Sequence, residues 1–321
     1  MHVAVIGGAG YIGSHVVLAL QDAGFSPVVF DNLSTGRKEN TPCPLFVGDI
    51  CNVQDLETFF TTYRPQAVIH LAAKKSSEES MRNLSLYAHV NIEGTINVLD
   101  AMVRHNVKTL IFSSTAAVYG QPQYVPMDEQ HPTSPENFYG ATKLACEQLF
   151  TWYGRLHGIR YAALRYFNAA GYDLRIKHPE PDPNNLFPIL FETVKGKRAA
   201  FTIMGTDYNT PDGTGVRDYV HVSDLARAHL LALTYLEQHP SLVCNLGSGR
   251  GYSVRECVTA MQELFGTFIV QEGPRRQGDP AVVLTSNEHA LSTLNWTPEY
   301  TEIRDILLSM AHVYFLKNES N

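Results

Sequence analysis

Short apolar runs alternate with amphipathic, helix-like stretches through the first half of the chain. The apolar runs are rich in β-branched residues and predict strands at 3–6, 28–30, 45–47, 67–70, 109–113 and 161–165. The amphipathic stretches predict helices that begin near Tyr11, Val53, Ser80 and Tyr139. Because strict alternation of strand and helix produces right-handed parallel crossovers, the pattern predicts an α/β fold with a Rossmann-type, doubly wound parallel sheet.

The pattern changes after residue 168. Residues 178–185 hold three prolines and residues 207–215 are rich in turn formers, so both segments are predicted to be loops. Beyond residue 200 we predict helices at 222–238, 253–265 and 302–316, with short strands near Phe201, Val243 and Phe268. The 321 residues exceed the usual size of a single core. We therefore predict a Rossmann domain at 1–169 and a smaller mixed α/β lobe at 170–321, with some chain crossing back near 213–222.

Composition excludes several classes of partner. The chain carries 25 Lys and Arg against 32 Asp and Glu, a formal net charge of −7, with no basic run, which argues against nucleic-acid or membrane-surface binding. We find no membrane span or targeting signal and expect a cytoplasmic location. The five cysteines form no C-x-x-C pair and the 13 histidines show no ligand spacing, so we predict neither a disulfide framework nor a metal site.

Three glycines, Gly7, Gly10 and Gly13, follow the first predicted strand and open the first predicted helix. Glycine permits a tight turn and close backbone approach, and a helix N-terminus offers free N–H groups to a pyrophosphate. Asp31 ends the second strand, where a carboxylate accepts hydrogen bonds from ribose hydroxyls and repels a 2′-phosphate. This arrangement predicts a dinucleotide site that favours NAD over NADP.

Arg37, Lys38 and Asp49 in this region each have two interpretations. Arg37 and Lys38 would be the residues to invoke for NADP, or they are unpaired surface groups. Asp49 follows the third strand, where it would meet the adenine amine or serve only as a loop carboxylate.

Tyr139 is the only one of 16 tyrosines with a lysine, Lys143, four residues later. That spacing sets two side chains together on one helix face. To act as a base near neutral pH, a phenol must be acidified by ~3 pKa units, or ~4 kcal/mol. One cation at ~6 Å supplies only ~2.8 kcal/mol. We therefore expect an oxidised nicotinamide ring to supply the rest, and we interpret the pair as the proton-transfer groups of hydride transfer at a carbinol carbon.

Thr115 ends the fifth predicted strand, two residues after Ser113. The carboxyl edge of a parallel sheet is where such folds hold their ligands. Thr115 is therefore either a hydroxyl relay between substrate and Tyr139 or a cap of the strand end.

The chain resembles the extended short-chain dehydrogenase/reductases and, within them, the UDP-glucose 4-epimerase family. The resemblance runs nearly end to end and is carried by GGAGYIG at 7–13, DNL at 31–33, GDI at 48–50, HLAA at 70–73, YGATK at 139–143, RYFN at 165–168, PNNL at 183–186 and DGTGVRDY at 212–219. The glycine loop and the Tyr/Lys pair are shared by the whole superfamily. The PNNL and DGTGVRDY segments are typical of the epimerases within that superfamily.

The resemblance implies a set of site residues. Tyr139, Lys143 and Thr115 would be catalytic. The NAD site would comprise Gly7, Gly10, Tyr11, Ile12, Gly13, Asp31, Asn32, Asp49, Ile50, Leu71, Ala72, Ala73, Lys75, Asn91, Ser113, Tyr139, Lys143 and Tyr166. Asn91 would lie either with the cofactor or in the Tyr139 neighbourhood. The sugar nucleotide would meet Thr115, Tyr139, Asn168, Asn185, Leu186, Met204, Arg217, Tyr219, Arg276, Asp279 and Val283. Guanidinium forks suit a diphosphate, although Arg217 and Arg276 could instead form salt bridges that join the lobes, Arg217 with Asp218 or Asp212.

The implied reaction interconverts UDP-glucose and UDP-galactose by inversion at C4 through a 4-keto sugar, with NAD bound throughout. Small Val283 would leave room at the sugar 2-position, which extends the expectation to UDP-N-acetylglucosamine and UDP-N-acetylgalactosamine; alternatively, Val283 simply packs in a strand. The family is usually dimeric, so a homodimer is expected.

The same residues bear on three alternative functions. Nucleotide-sugar 4,6-dehydratases and decarboxylases carry acidic groups in the slot held here by Ala116 and Ala117. A non-enzymatic NAD-sensing protein would have little need for both Tyr139 and Lys143. A dehydrogenase that releases NADH would differ by needing NAD in substrate amounts.

Overall fold

The computed structural model describes residues 1–180, 185–276 and 278–315. Its strands are β1 His2–Ile6, β2 Ser26–Asp31, β3 Leu45–Val47, β4 Ala67–His70, β5 Thr109–Thr115, β6 Arg160–Tyr166, β7 Asn168–Ala170, β8 Phe201–Met204, β9 Val216–His221, β10 Ser241–Leu246, β11 Gly251–Ser253, β12 Val270–Gly273 and β13 Val282–Val283. Its α-helices are α1 Tyr11–Asp22, α2 Val53–Tyr63, α3 Ser77–Ser80, α4 Leu84–Tyr87, α5 Gly94–Arg104, α6 Phe138–His157, α7 Leu186–Val194, α8 Val222–Tyr235, α9 Val254–Phe265, α10 Glu288–Leu294 and α11 Ile303–Phe315.

Seven parallel strands form the main sheet, in the order β10-β6-β5-β4-β1-β2-β3. All six strands predicted for the first half of the chain lie within observed strands of this sheet. The central strands are buried on both faces because helices cover each side, which explains their continuous apolar runs. The predicted α/β, doubly wound architecture is confirmed.

The strand near Val243 belongs to this sheet and not to the smaller lobe. It is β10, which pairs with β6 at the sheet edge. Helix α8 likewise packs on α1, where Leu225 and Ala232 share a buried cluster with Val17 and Leu20. An apolar strand needs cover on both faces, and the large sheet provides it. The predicted boundary is therefore wrong for residues 222–246, and elsewhere the division stays a prediction.

A smaller lobe follows the sheet. Strands β11, β9 and β13 lie side by side with β7 against β9, and β12 pairs with β8. Helices α7, α9 and α11 pack in a second core around Phe191, Met261 and Ile306. The sequence pattern missed α7, which follows a proline-rich stretch, and β9, which lies directly after turn formers.

Three predicted helices differ from those observed. The helix predicted at 222–238 ends at Tyr235. The helix expected to begin near Ser80 is instead divided into α3, α4, a π-helical turn at Ala88–Glu93 and α5. The helix predicted at 302–316 begins at Ile303, and its last predicted residue, Leu316, lies outside the described residues. Among the residues that the structure describes, none of the helices combines the length and apolarity needed to cross a membrane.

Candidate active site

A continuous cavity of about 1230 Å³ joins the carboxyl edge of the main sheet to the smaller lobe. The expected site residues at its surface are Gly7, Gly10, Tyr11, Ile12, Gly13, Asp31, Asn32, Asp49, Ile50, Leu71, Ala72, Ala73, Lys75, Ser113, Thr115, Tyr139, Lys143, Tyr166, Asn168, Asn185, Leu186, Met204, Arg217, Tyr219, Arg276 and Asp279. Two expected residues, Asn91 and Val283, are not at this surface. Pro183 and Asn184 of the PNNL segment lie outside the described residues.

The glycine loop has the close packing that a dinucleotide site requires. Gly7 has a φ of 84°, and a Cβ on it would lie 2.5 Å from the backbone nitrogen of Ala72. A Cβ on Gly13 would lie 2.2 Å from the carbonyl oxygen of Gly7. Gly10 is the N-cap of α1 and provides no side-chain cap. The N–H groups of the first helical turn can therefore bind an anion. These residues fit a pyrophosphate.

Asp31 is held at the end of β2 by backbone donors. Its two carboxylate oxygens accept hydrogen bonds from the N–H groups of Ala9 at 3.0 Å and Leu33 at 2.8 Å. Burial raises the pKa of Asp31, and the two backbone N–H groups oppose that rise. The carboxylate is therefore fixed in the cavity wall, where it suits a ribose diol and disfavours a 2′-phosphate.

Asp49 and Asn32 are joined to each other beside Asp31. The Asn32 amide donates to one Asp49 oxygen at 3.0 Å, and the Cys51 N–H donates to the other at 2.8 Å. Burial raises the pKa of Asp49, but these hydrogen bonds outweigh it and the net pKa is lowered. Asp49 is thus a charged carboxylate at the cavity wall.

Residues 178–180 form a strap across the cofactor side of the cavity. Asn40 pairs with the backbone of His178, donating to its carbonyl at 2.9 Å and accepting from its N–H at 3.3 Å. Arg37 donates to the carbonyl of Pro179 at 2.8 Å, and Lys75 forms an ion pair with Glu180. Arg37 is therefore engaged in holding the strap, which weakens its case as a 2′-phosphate ligand.

Tyr139 lies in the first turn of α6, whose N-cap Asn137 accepts a hydrogen bond from the Gly140 N–H at 2.9 Å. One turn later Lys143 donates to the carbonyl oxygen of Ser113 at 2.7 Å. The Lys143 nitrogen lies 6.0 Å from the centre of the Tyr139 ring. The predicted i, i+4 arrangement is present at the edge of β5.

The pKa values of Tyr139 and Lys143 differ from those expected of a phenol acidified by a neighbouring lysine. Burial raises the pKa of Tyr139 to about 12, and the hydrogen bond with Thr115 only partly opposes it. Burial also lowers the pKa of Lys143 to about 8, against the opposing effects of Cys146 and Glu147. With Lys143 alone, the Tyr139 phenol is therefore less readily ionised near neutral pH than we expected, because burial favours its neutral form.

Thr115 caps a turn close to Tyr139. Its Oγ1 accepts a hydrogen bond from the Ala117 N–H at 3.1 Å and so caps the 3-10 turn Ala116–Val118. Its hydroxyl also acts on the Tyr139 phenol and lowers the pKa of that group. The expected cap is present, and the relay between substrate and Tyr139 stays a prediction.

Asn91 does not line the cavity, so the expected contact with the cofactor is wrong, and its alternative place near Tyr139 is the one observed. The π-helical turn buries it, and its amide bonds both backbone groups of Lys74, at 2.8 and 3.0 Å. Asn91 also donates to Thr142 at 3.0 Å, and Thr142 donates to the Tyr139 carbonyl at 2.7 Å. The widened turn carries the side chain between the loop after β4 and α6, so Asn91 positions the tyrosine helix.

The smaller lobe contributes the polar end of the cavity. Arg217, on β9, donates to the carbonyl of Val216 at 2.9 Å and lies 3.9 Å from Asp279. The carboxylates proposed as alternative partners of Arg217 are otherwise engaged: Asp218 bonds Ser248, Gly249 and Thr285, and Asp212 bonds Thr214 and Ser253. Arg276 is exposed at the cavity rim. The lobe-joining salt bridge with Asp218 or Asp212 is therefore wrong for Arg217.

Val283 also lies away from the cavity surface, and the alternative expectation, that it packs in a strand, is the one observed. On β13 it pairs in register with Arg217, and its side chain packs in a cluster with Val118, Tyr119, Met127 and Phe167. Phe167 lies at the cavity surface, so Val283 forms the layer behind that wall. The pairing of β13 with β9 places Val283 there, which its spacing from Asp279 could not predict.

The sequence pattern missed several cavity residues, among them Tyr172 and Glu180. The hydroxyl of Tyr172 accepts a hydrogen bond from the Glu180 N–H at 3.2 Å. Both lie near the proline-rich stretch, whose loop composition gave no sign of a contact with the cofactor side.

Comparison with known proteins agrees with this geometry. Residues 3–247 match the model of the NAD dependent epimerase/dehydratase family. The chain is 43% identical over 312 residues to the UDP-glucose 4-epimerase of Halalkalibacterium halodurans, covering 96% of this chain and 93% of that protein. Its fold is similar to that of the Brucella ovis UDP-glucose 4-epimerase in complex with NAD, with a TM-score of 0.94, 38% identity and 98% of each chain covered. It is also similar to the Bifidobacterium longum UDP-glucose 4-epimerase in complex with NAD+ and UDP, with a TM-score of 0.92, 33% identity and 98% of each chain covered.

Proposed function

The chain belongs to the NAD dependent epimerase/dehydratase family, and on that premise we propose that it is an isomerase that interconverts UDP-glucose and UDP-galactose. NAD is its cofactor. The observation that carries the proposal is the single cavity that runs from the glycine loop past Tyr139 to Arg217 and Arg276. A dinucleotide and a sugar nucleotide can meet there on either side of one phenol.

When bound, NAD accepts the hydride of the sugar C4 and returns it. Tyr139 takes the proton of the 4-hydroxyl, directly or through Thr115, and gives it back to the 4-keto sugar. Lys143 holds positive charge beside the phenol from its anchor on the Ser113 carbonyl. Inversion needs the hydride to return to the other face, so the sugar must turn about its link to the diphosphate.

Arg217 and Arg276 suit the diphosphate, which stays fixed while the sugar turns. Asp279, beside Arg217, suits the uridine ribose diol. The strap at residues 178–180 spans the cofactor side, which supports NAD as a group retained through turnover. These roles are our assignments for residues that share the cavity.

The test starts from purified protein with no added NAD. We expect UDP-galactose to be converted to UDP-glucose, and acid to release about one nucleotide per chain. Tyr139→Phe should abolish turnover and retain NAD. Tyr124→Phe, which alters an exposed tyrosine bonded to Asp128, should behave as the unaltered protein. A need for added NAD in substrate amounts would point instead to a dehydrogenase.

The dehydratase and decarboxylase reactions would need a proton-carrying side chain where this chain has Ala116 and Ala117. Ala116 and Ala117 form the 3-10 turn directly after Thr115. A methyl group cannot move a proton between C5 and C6. The absence of a 4-keto-6-deoxy product from UDP-glucose would separate the two reactions.

We also propose action on UDP-N-acetylhexosamines. Val283 fills the layer behind Phe167 without a ring that would project towards the sugar. The small side chain of Val283 supports this proposal, and the substitution Val283→Tyr tests it.

We propose that the protein is a homodimer formed through helices of the Rossmann domain. On α6, Trp152 is 57% and Leu156 70% exposed, one helical turn apart. Large apolar side chains together on a surface commonly mark an interface. Leu156→Glu should convert a dimer to a monomer in analytical ultracentrifugation. A wild-type protein that sediments as a monomer would refute it.

We propose a cytoplasmic location on the chemistry of the cysteines. The five thiols are unpaired, and three of them are buried. Free thiols are typical of a reducing compartment.

A further inference from the structure

Tyr166 and His229 form a buried pair at the edge of the cavity. Tyr166 ends β6 and faces the cavity, and its hydroxyl oxygen lies 2.6 Å from Nε2 of His229. His229 comes from α8 and is fully buried among the aliphatic residues of that helix. A polar ring in this environment would be costly without a partner. Its single contact on the cavity side is the Tyr166 hydroxyl.

The direction of that hydrogen bond follows from the other ring nitrogen. Nδ1 of His229 lies 2.7 Å from the carbonyl oxygen of Leu225. A carbonyl oxygen only accepts, so Nδ1 carries the hydrogen of the neutral ring. Burial lowers the pKa of His229 to about 4, which keeps the ring neutral near pH 7. Nε2 is then a bare acceptor, and Tyr166 must donate its hydrogen to it.

The hydrogen bond to His229 limits how the Tyr166 hydroxyl can bind a ligand in the cavity. Its hydrogen is committed to His229, so only oxygen lone pairs remain for a ligand. Burial raises the pKa of Tyr166 far above that of an ordinary tyrosine, so it does not exchange protons near neutral pH. Tyr166 is thereby excluded as the proton-transfer phenol, although it pairs in register with Thr115 on the neighbouring strand.

We propose that His229 is a positioning residue that fixes Tyr166 as a neutral hydrogen-bond acceptor for the carboxamide N–H of bound NAD. The inference rests on the proposed function, since it assigns a partner to the same cofactor. The ligand group must be a donor, because Tyr166 has no hydrogen to give. An amide N–H2 group is the donor that a nicotinamide carries.

A double-mutant cycle tests the coupling. We expect His229→Leu and Tyr166→Phe each to speed NAD release about 10-fold, the loss of one hydrogen bond. The double variant should release NAD no faster than either single one. His229→Gln, whose amide oxygen can accept from Tyr166, should stay within about 3-fold of the unaltered protein. NAD release is measured by gel filtration and by the nucleotide left on the protein.

The control is His239→Leu. His239 lies just beyond α8, and its Nδ1 also contacts the carbonyl four residues earlier, that of Tyr235, at 3.0 Å. It is exposed and does not lie at the cavity surface, so NAD release should not change. The KM for UDP-galactose should also stay unchanged in the His229 variants, because the groups assigned to the diphosphate and the uridine ribose, Arg217, Arg276 and Asp279, lie on segments other than β6 and α8.

Different failures have different meanings. Effects of His229→Leu and Tyr166→Phe that multiply would show that His229 acts by packing alone, which overturns the proposal. Equal damage from His229→Gln and His229→Leu would overturn it too. If His229→Leu fails to fold, the Gln variant decides: release within about 3-fold supports the proposal, and about 10-fold faster release overturns it. Purified protein that holds no NAD would instead overturn the proposed function.

Discussion

Lys143 holds its ammonium nitrogen 6.0 Å from the centre of the Tyr139 ring while it donates to the Ser113 carbonyl. A cation ~6 Å from a phenolate oxygen is worth roughly 2.8 kcal/mol towards the phenolate at an effective dielectric of ~20. Burial opposes such an effect and raises the pKa of Tyr139 to about 12. Without the cofactor the phenol therefore stays protonated near neutral pH, and a positive nicotinamide ring would favour the phenolate.

The ionisation of Tyr139 should consequently depend on the cofactor. In protein stripped of NAD we expect the phenol to titrate near 12, since the folded site favours the neutral form. Oxidised NAD should lower that pKa by about 2 units or more, because a second cation of similar field is added. The measurement is the phenolate absorbance difference between wild type and Tyr139→Phe. A pKa near 7 without NAD would contradict the prediction.

The buried pair of Arg165 and Glu147 should control stability. The two groups are 2.6 Å apart, each with 7% of its side chain exposed. Glu147→Leu leaves a buried guanidinium without its carboxylate and should lower the free energy of unfolding by about 3–5 kcal/mol. Urea unfolding measures it. Arg82→Leu breaks an exposed pair with Glu78 and should change stability by less than about 0.5 kcal/mol.

The double variant Glu147→Leu, Arg165→Met completes that experiment. Because no charge is then left unpaired, its loss should be smaller than the sum of the single losses. Strictly additive losses would show that the two side chains contribute independently.

The strap should govern how tightly NAD is retained. Asn40→Ala removes both hydrogen bonds to the His178 backbone and should speed NAD release by roughly 10-fold. Fluorescence of bound NADH during dilution gives the rate. Asn83→Ala is the matched control, since Asn83 is exposed and its side chain makes no cap hydrogen bond. Unchanged release in Asn40→Ala would show that the strap plays no part in retention.

Val283→Tyr should narrow the substrate range. A phenol ring cannot fit the cluster behind Phe167 and would push into the cavity. We expect kcat/KM for UDP-N-acetylglucosamine to fall at least about 10-fold relative to UDP-glucose, which a coupled assay on both substrates measures. Activity on the acetylated substrate that is unchanged would refute the role of Val283.

The sequence by itself determined the elements whose signal is local. The apolar runs of the main sheet, the glycine loop after β1 and the Tyr139–Lys143 spacing are all encoded within a few residues, because side-chain period and backbone freedom are local properties. Local pattern also gave the order of strands and helices, from which the parallel sheet follows.

Only the tertiary structure decided which distant segments meet. The return of β10 to the main sheet, the withdrawal of Asn91 and Val283 from the cavity surface, the use of Arg37 in the strap and the pairing of Tyr166 with His229 join residues far apart in the chain. Such contacts are selected by packing and by the pairing of buried polar groups across the whole core. No periodicity along the chain records them.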